Sequence, residues 1–226
     1  MTRQPIIPAI IPDTEPMLRE RLLQVRGLVR VAQVDVMDGS YSETTSWPYE
    51  GVAREMFEGE GGIELPLWQE LELEIDLMVR EPEQHVRRWS LAGAARIIVH
   101  IESTEHMNEV IEACRETHTE LAIGIKPATD AAMLEPYLAD ALFVQVMGSN
   151  EVGKHGVALE ESALRQVESI HKRWPEVLIG VDIGVNEETL PKLKEVGAGR
   201  FAAGSAIFRS GDAEGAYRAL TSAVEA

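Results

Sequence analysis

The sequence predicts an α/β protein of the (β/α)8 TIM barrel class, a closed parallel sheet wrapped by outer helices, built as a single domain over residues 1–226. Three observations predict it. Eight short β-like runs recur along the chain, amphipathic helical stretches separate them, and polar side chains gather at the carboxyl ends of the runs. Strand–helix alternation implies parallel strands joined by helical crossovers. Eight such units in 226 residues match the size of a closed barrel, which typically takes roughly 250 residues.

The first β run is IIPAII (6–11), followed by the helical pattern TEPMLRERLLQV (14–25). The turn between them, IIPDTEP (10–16), is not glycine-rich. An open doubly wound sheet would usually carry a glycine-rich first turn, so the closed barrel is preferred. VRVAQVDVM (29–37) is the second strand and LELEIDLMV (71–79) the third. PEQHVRRWSLAG (82–93) reads as a helix stopped by Gly93, RIIVHI (96–101) as the fourth strand, and TEHMNEVIEACRE (104–116) as a helix. ELAIGI (120–125) and ALFVQVM (141–147) are the fifth and sixth strands, and EESALRQVESIHKRW (160–174) is a helix. VLIGVDI (177–183) is the seventh strand, and NEETLPKLKEVG (186–197) is a helix opened by Asn186 and stopped by Gly197. RFAAGS (200–205) and GDAEGAYRALTSAV (211–224) complete the eighth unit.

Strand residues alternate between the helix layer and the barrel interior. Val34, Val36, Leu73, Ile75, Leu77, Ile179 and Val181 fall on the helix-facing side. Gln33, Asp35, Met37, Glu74, Asp76, His100, Glu102, Lys126, Gln145, Met147 and Asp182 then point inward toward the carboxyl ends. Buried polar groups are costly without partners, and barrel active sites lie at this end. The pattern therefore points to a site at the barrel mouth. Glu74 reads as an internal salt-bridge partner and His100 as a hydrogen-bonded core histidine.

Composition narrows the function. The chain is 45% hydrophobic and 26% charged, so it can bury a core. Lys+Arg 21 against Asp+Glu 38 gives a net charge of −17, which disfavours nucleic acid and anionic membranes as partners. No apolar run is long enough for a membrane span, and MTRQPIIPAIIPD lacks the shape of a secretory signal. A lone cysteine, Cys114, excludes an internal disulfide framework and reads as structural, so a cytoplasmic location is expected. A small anionic ligand must be held by a local device, not by the overall field.

The segments VDVMDGS (34–40), DLMV and PE (76–83), VHIES (99–103), KPAT (126–129), VDIGV (181–185) and GSAIF (204–208) occur in an order that resembles the ribulose-phosphate 3-epimerases. The likeness runs from about Pro8 to Phe208 and is weakest over 40–70 and in the loop after strand six. It implies a barrel in which two aspartates exchange a sugar proton from opposite faces, and these fall on Asp35 and Asp182. It also implies a divalent metal held by those aspartates and two histidines. The histidine positions are occupied here by Gln33 and Asp76. Oxygen donors suit a hard ion such as magnesium or manganese, and not zinc. Lys126 stands where the family usually has asparagine, which opens a metal-free alternative with its ammonium among the carboxylates.

The resemblance further implies phosphate binding by backbone N–H groups of the turns after strands six, seven and eight. Gly153, Lys154, Gly184, Gly204 and Ser205 are the matching positions, with Met37 and Met147 at the mouth and Lys126 beside the ligand. Ile183 replaces a usual glycine, Ala9 replaces a serine, and residues 148–158 are expected to act as a mobile lid that includes His155. The expected activity is a ketose-phosphate isomerase with a small phosphorylated sugar as partner and a homo-oligomeric assembly. A lyase or aldolase using Lys126, or a barrel that binds a phosphate ligand or partner without catalysis, are the alternatives.

Overall fold

The structure, a computed structural model, describes residues 4–59, 62–154 and 156–225; His155 lies outside the described residues. Eight parallel strands close into a barrel in chain order. They are β1 (Ile6–Ile10), β2 (Val31–Met37), β3 (Glu72–Met78), β4 (Arg96–His100), β5 (Glu120–Ile125), β6 (Val144–Met147), β7 (Ile179–Asp182) and β8 (Arg200–Ala203). The helices are α1 (Glu15–Val25), α2 (Gly51–Glu58), α3 (Val86–Leu91), α4 (Met107–Thr117), α5 (Glu161–Arg173), α6 (Leu190–Glu195), α7 (Ser205–Phe208) and α8 (Ala213–Glu225). Ile6, Ile7 and Pro8 pair with Phe201, Ala202 and Ala203, which closes the sheet.

The register explains the alternating sequence. Gln33 stands opposite Glu74, Asp35 opposite Asp76 and Met37 opposite Met78. Every residue of β2 is buried, because helices cover one face and the barrel lumen the other. The helix-facing set from Val34 to Val181 lies in the main hydrophobic core with Leu18, Leu22, Trp89 and Ile170. The lumen holds different chemistry. Ile98, Ala122 and Phe143 form one small apolar cluster, and Met37, Met78, Met147 and Val152 form another at the mouth.

Glu74 is ion-paired inside the barrel to Arg96 at 2.8 Å and also to Arg200. Arg200 lies over the Phe143 ring, 4.2 Å from its centroid. Cys114 is 3% exposed on α4, and burial pushes its thiol up to about 12, which leaves it unreactive.

Three elements differ from the sequence expectation for local reasons. The helix expected over 186–197 is confined to Leu190–Glu195, with a proline in its first turn. Proline there loses no hydrogen bond, while Asn186 closes the preceding turn by accepting from Glu188 and Thr189 N–H groups. The 82–93 segment splits into a 3-10 turn, Pro82–Gln84, and α3. The crossover from β5 to β6 is a 3-10 helix, Ala131–Tyr137, with Pro136 inside it. Among the described residues no helix is long and apolar enough to cross a membrane.

Candidate active site

Asp35 and Asp182 end up side by side because β2 and β7 both present an inward position at the carboxyl end of the barrel. One carboxylate oxygen from each of Asp35, Asp76 and Asp182 lies within 4.8 Å of the others. All three residues are buried, at 6%, 0% and 8% exposure. Gln33, fully buried below them, donates its amide Nε2 to Asp35 Oδ1 at 2.7 Å and to Asp182 Oδ2 at 3.0 Å. One neutral amide therefore bridges the two aspartates. The Ile183 N–H donates to Asp182 Oδ1 at 2.7 Å, and the Asp35 carboxylate accepts no other hydrogen bond among the described residues.

Asp76 is held from behind. His100 Nε2 lies 2.8 Å from Asp76 Oδ1, and Gln145 donates Nε2 to Asp76 Oδ2 at 3.1 Å. The imidazole fits because residue 124 is glycine: a Cβ there would approach His100 Nδ1 to 3.0 Å. Burial opposes charge on His100, but the Asp76 carboxylate and its hydrogen bond outweigh this and raise the imidazole's proton affinity. His100 is thus the hydrogen-bonded histidine the sequence suggested, in contact with the site.

Asp35 and Asp182 bind protons more tightly than usual. Burial raises Asp35 well above the ordinary range, and the neighbouring Asp182 and Asp76 add to the effect. Burial, then Asp76, raises Asp182 to about 7, against the N–H of Ile183 and the amide of Gln33. Two adjacent carboxylates that cannot both ionise freely are a shared-proton pair.

A cavity of about 820 Å³ opens from this pair to the surface. Asp35, Asp182, Met147, Gly153, Lys154, Gly184, Gly204 and Ser205 line it. Gln33, Asp76 and Met37 stand behind that lining, Met37 within the methionine cluster. Lys126 departs from expectation. Its ammonium lies over the Tyr41 ring, 4.2 Å from the centroid, and forms no ion pair with the three aspartates among the described residues. Tyr41 donates its hydroxyl to Glu102 at 3.0 Å, and Glu102 also accepts from the Lys126 backbone N–H at 2.8 Å. Burial holds the Lys126 ammonium below the usual lysine range, against the attraction of Glu102. The Tyr41 ring takes the ammonium that the sequence placed among the aspartates.

Sequence reasoning missed Lys192 and Arg209, which also line the cavity. It saw Ile183 but not its conformation. Ile183 adopts φ +80°, a region that β-branched residues rarely enter, while its side chain packs on the methionine cluster. No local sequence signal marks a β-branched residue for positive φ.

The oxygen donors fit a hard divalent cation. Three carboxylates converge, and Gln33 Oε1 is buried without a partner, so turning over this amide, with loss of its two hydrogen bonds, would add a fourth oxygen. Among the described residues no imidazole or thiolate is in the set, and the His100 imidazole is turned to Asp76.

Comparison with known proteins agrees with this geometry. A family model described as the ribulose-phosphate 3 epimerase family matches residues 5–208. A ribulose-phosphate 3-epimerase from Aquifex aeolicus is 26% identical over 201 residues, covering 88% of this chain and 86% of that protein. One from Bacillus subtilis is 30% identical over 148 residues, covering 63% of this chain and 68% of that protein. Among solved structures, KGPDC from Streptococcus mutans in complex with D-R5P superimposes with a TM-score of 0.71 at 15% identity, covering 99% of this chain and 98% of that one. At that identity the likeness concerns the fold alone.

Proposed function

The chain belongs to the ribulose-phosphate 3-epimerase family, and from that premise we propose that it is an isomerase inverting a carbon beside the carbonyl of a phosphorylated ketose. The observation that carries this reading is the Asp35–Asp182 pair: two buried carboxylates on one cavity, bridged by Gln33, with a raised proton affinity on each. Two neighbouring buried carboxylates with raised proton affinity can share one proton. One member is then a base and the other an acid. Inversion needs removal of a proton on one face of the carbon and delivery on the other, so two groups in opposite states are what the chemistry requires.

The residues divide the work as follows. Asp35 or Asp182 takes the proton from the carbon, and the protonated partner returns one from the other side. Gln33 fixes the oxygens that face each other, so that the lone pairs left over point to the ligand. Ile183 N–H steadies Asp182, and Met78 and Met147 line the same cavity and keep water from the reacting carbon. The glycines at 184 and 204 line the cavity and bear on the phosphate. A divalent cation held by Asp35, Asp76 and Asp182 would supply positive charge to the enediolate oxygens.

The aldolase alternative draws no support from Lys126, whose ammonium is stacked on Tyr41 and absent from the cavity wall. The test is solvent exchange. Incubated with D-ribulose 5-phosphate in heavy water, the protein should place deuterium at C3, and neither Asp35→Asn nor Asp182→Asn should do so at comparable rates. Asn variants that keep the parent rate would remove the proposal.

A further inference from the structure

Two cations in the cavity wall stand without partners. Lys192, on α6, and Arg209, just past α7, both line the cavity and are exposed. Among the described residues neither side chain makes an ion pair or a hydrogen bond. Acid is in excess in this chain, with 38 acidic residues against 21 basic ones. Elsewhere the excess acid finds the cations: Arg19 pairs with Glu15, Arg54 with Glu58, Arg218 with Glu214. In the same cavity wall Lys154 pairs with Glu151 at 3.1 Å, and Glu161 is taken by Arg165 at 3.6 Å. Glu188 also lines the cavity, four residues before Lys192, yet the two do not pair.

The position of Arg209 adds a second observation. Its guanidinium lies against the β6–α5 loop at Gly156, where a Cβ would come within 3.3 Å of Nη1. Gly156 has φ +72°, so the loop backbone there approaches the arginine in a conformation that favours glycine. The loop and the end of α7 thus meet at Arg209, and α6 brings Lys192 to the wall of the same cavity.

We propose that Lys192 and Arg209 form a side-chain anion clamp in the cavity wall, which holds the ligand's phosphate beside the β6–α5 loop. The proposal rests on the reading of this cavity as a sugar-phosphate site. A guanidinium offers paired donors to two phosphate oxygens, and an ammonium adds a mobile point charge, which together suit a tetrahedral dianion. The need for such a clamp follows from the whole chain. At a net charge of −17 the protein repels anions at long range, so the end of the cavity that receives one must be locally positive. Among the described residues neither cation is ion-paired or hydrogen-bonded to Asp35 or Asp182, so the clamp is assigned to binding and not to chemistry.

Calorimetric titration with inorganic phosphate tests the clamp directly, on the parent, Arg209→Gln, Lys192→Gln and, as an outside control, Arg218→Gln. Each clamp variant should bind phosphate roughly ten-fold more weakly, the value of one charge-assisted hydrogen bond, while Arg218→Gln binds as the parent does. On D-ribulose 5-phosphate KM should rise by a similar factor with kcat unchanged. Amides of residues 148–154 and 156–158 should exchange more slowly with phosphate bound in the parent, and lose that protection in Arg209→Gln. Both side chains are exposed, so melting temperatures should match the parent and separate lost binding from lost folding. Parent-like phosphate affinity in both variants, or a parent that binds no phosphate, overturns the clamp. A parent that binds phosphate through these residues but exchanges no proton on D-ribulose 5-phosphate overturns the epimerase reading and leaves the clamp standing. Exchange in the parent with unaltered affinity in the variants does the reverse.

Discussion

Asp182 illustrates how much one residue can reveal about its surroundings. Its carboxyl moves from 3.8 to about 7 because burial and Asp76 disfavour its charge. A proton held more tightly in the folded than in the unfolded chain stabilises the fold at low pH. That contribution is complete below about 4 and is lost as pH rises toward 7, where the folded carboxyl must ionise in its buried place. Asp182→Asn should therefore melt above the parent at pH 8, by on the order of 2 kcal/mol, and the gap should close near pH 4. The same substitution should lower proton exchange ~100-fold or more, as should Asp35→Asn. Thermal melts across that pH range, paired with exchange rates, check both. Ile183 gives a different test. At φ +80° an alanine keeps the backbone strain and loses the packing, whereas a glycine loses the packing but relieves the strain. Ile183→Gly should then be more stable than Ile183→Ala by ~1 kcal/mol in urea melts, the reverse of the usual order. Asp35 and Asp182 were legible in sequence because polar residues at alternate strand positions must face something. The backbone angle of Ile183 was not, since it depends on the methionine cluster that its side chain joins.

Among the elements, the strands were the easiest to read. β-branched and apolar runs bounded by turns announce all eight, although their ends shift: the run at 29–37 becomes Val31–Met37, and Val29 only bridges to Arg26. The helices with a continuous apolar stripe were equally plain. α2 and the 3-10 segment Ala131–Tyr137 were not, since the first buries little beyond Phe57 and the second is interrupted by Pro136. The turn from β7 to α6 matters most to function, because it frames Gly184. Thr189 holds it, donating Oγ1 to the Gly184 carbonyl at 2.7 Å and accepting from Asn186 N–H at 3.0 Å. Removing that hydroxyl with Thr189→Ala should cost ~1 kcal/mol, comparable to a lost helix cap. It should raise KM for a phosphorylated ketose more than it lowers kcat, which steady-state kinetics would separate.

Across the whole barrel, the charged centre beneath the site ties distant strands together. Glu74 on β3 binds Arg96 on β4 and Arg200 on β8, with all three residues buried. Deleting this anion leaves Arg200 without its ion-pair partner in the lumen and Arg96 with Glu120 alone, at the half-exposed start of β5. Glu74→Ala should cost ~3–5 kcal/mol, a fall of roughly 10 °C or more in melting temperature for a chain of this size. Differential scanning calorimetry measures it. Glu74 could be read from sequence as an inward carboxylate, but its partners could not. Arg96 and Arg200 stand at the first positions of their strands, where a long cation would ordinarily reach solvent, and only barrel closure turns them in.

That closure also sets a clock on biosynthesis. The hydrogen bonds of β1 to β8 join the earliest strand translated to the last, so the sheet stays open until residues 200–203 have left the ribosome. At ~5–20 residues per second this leaves the β1 edge without its final neighbour for roughly 10–40 s. Nascent chains arrested before β8 should remain open to protease at residues 6–10, and chains arrested well beyond it should not. A molecule whose two ends must meet is finished all at once, and until then it depends on whatever shields an unpaired strand in the cell.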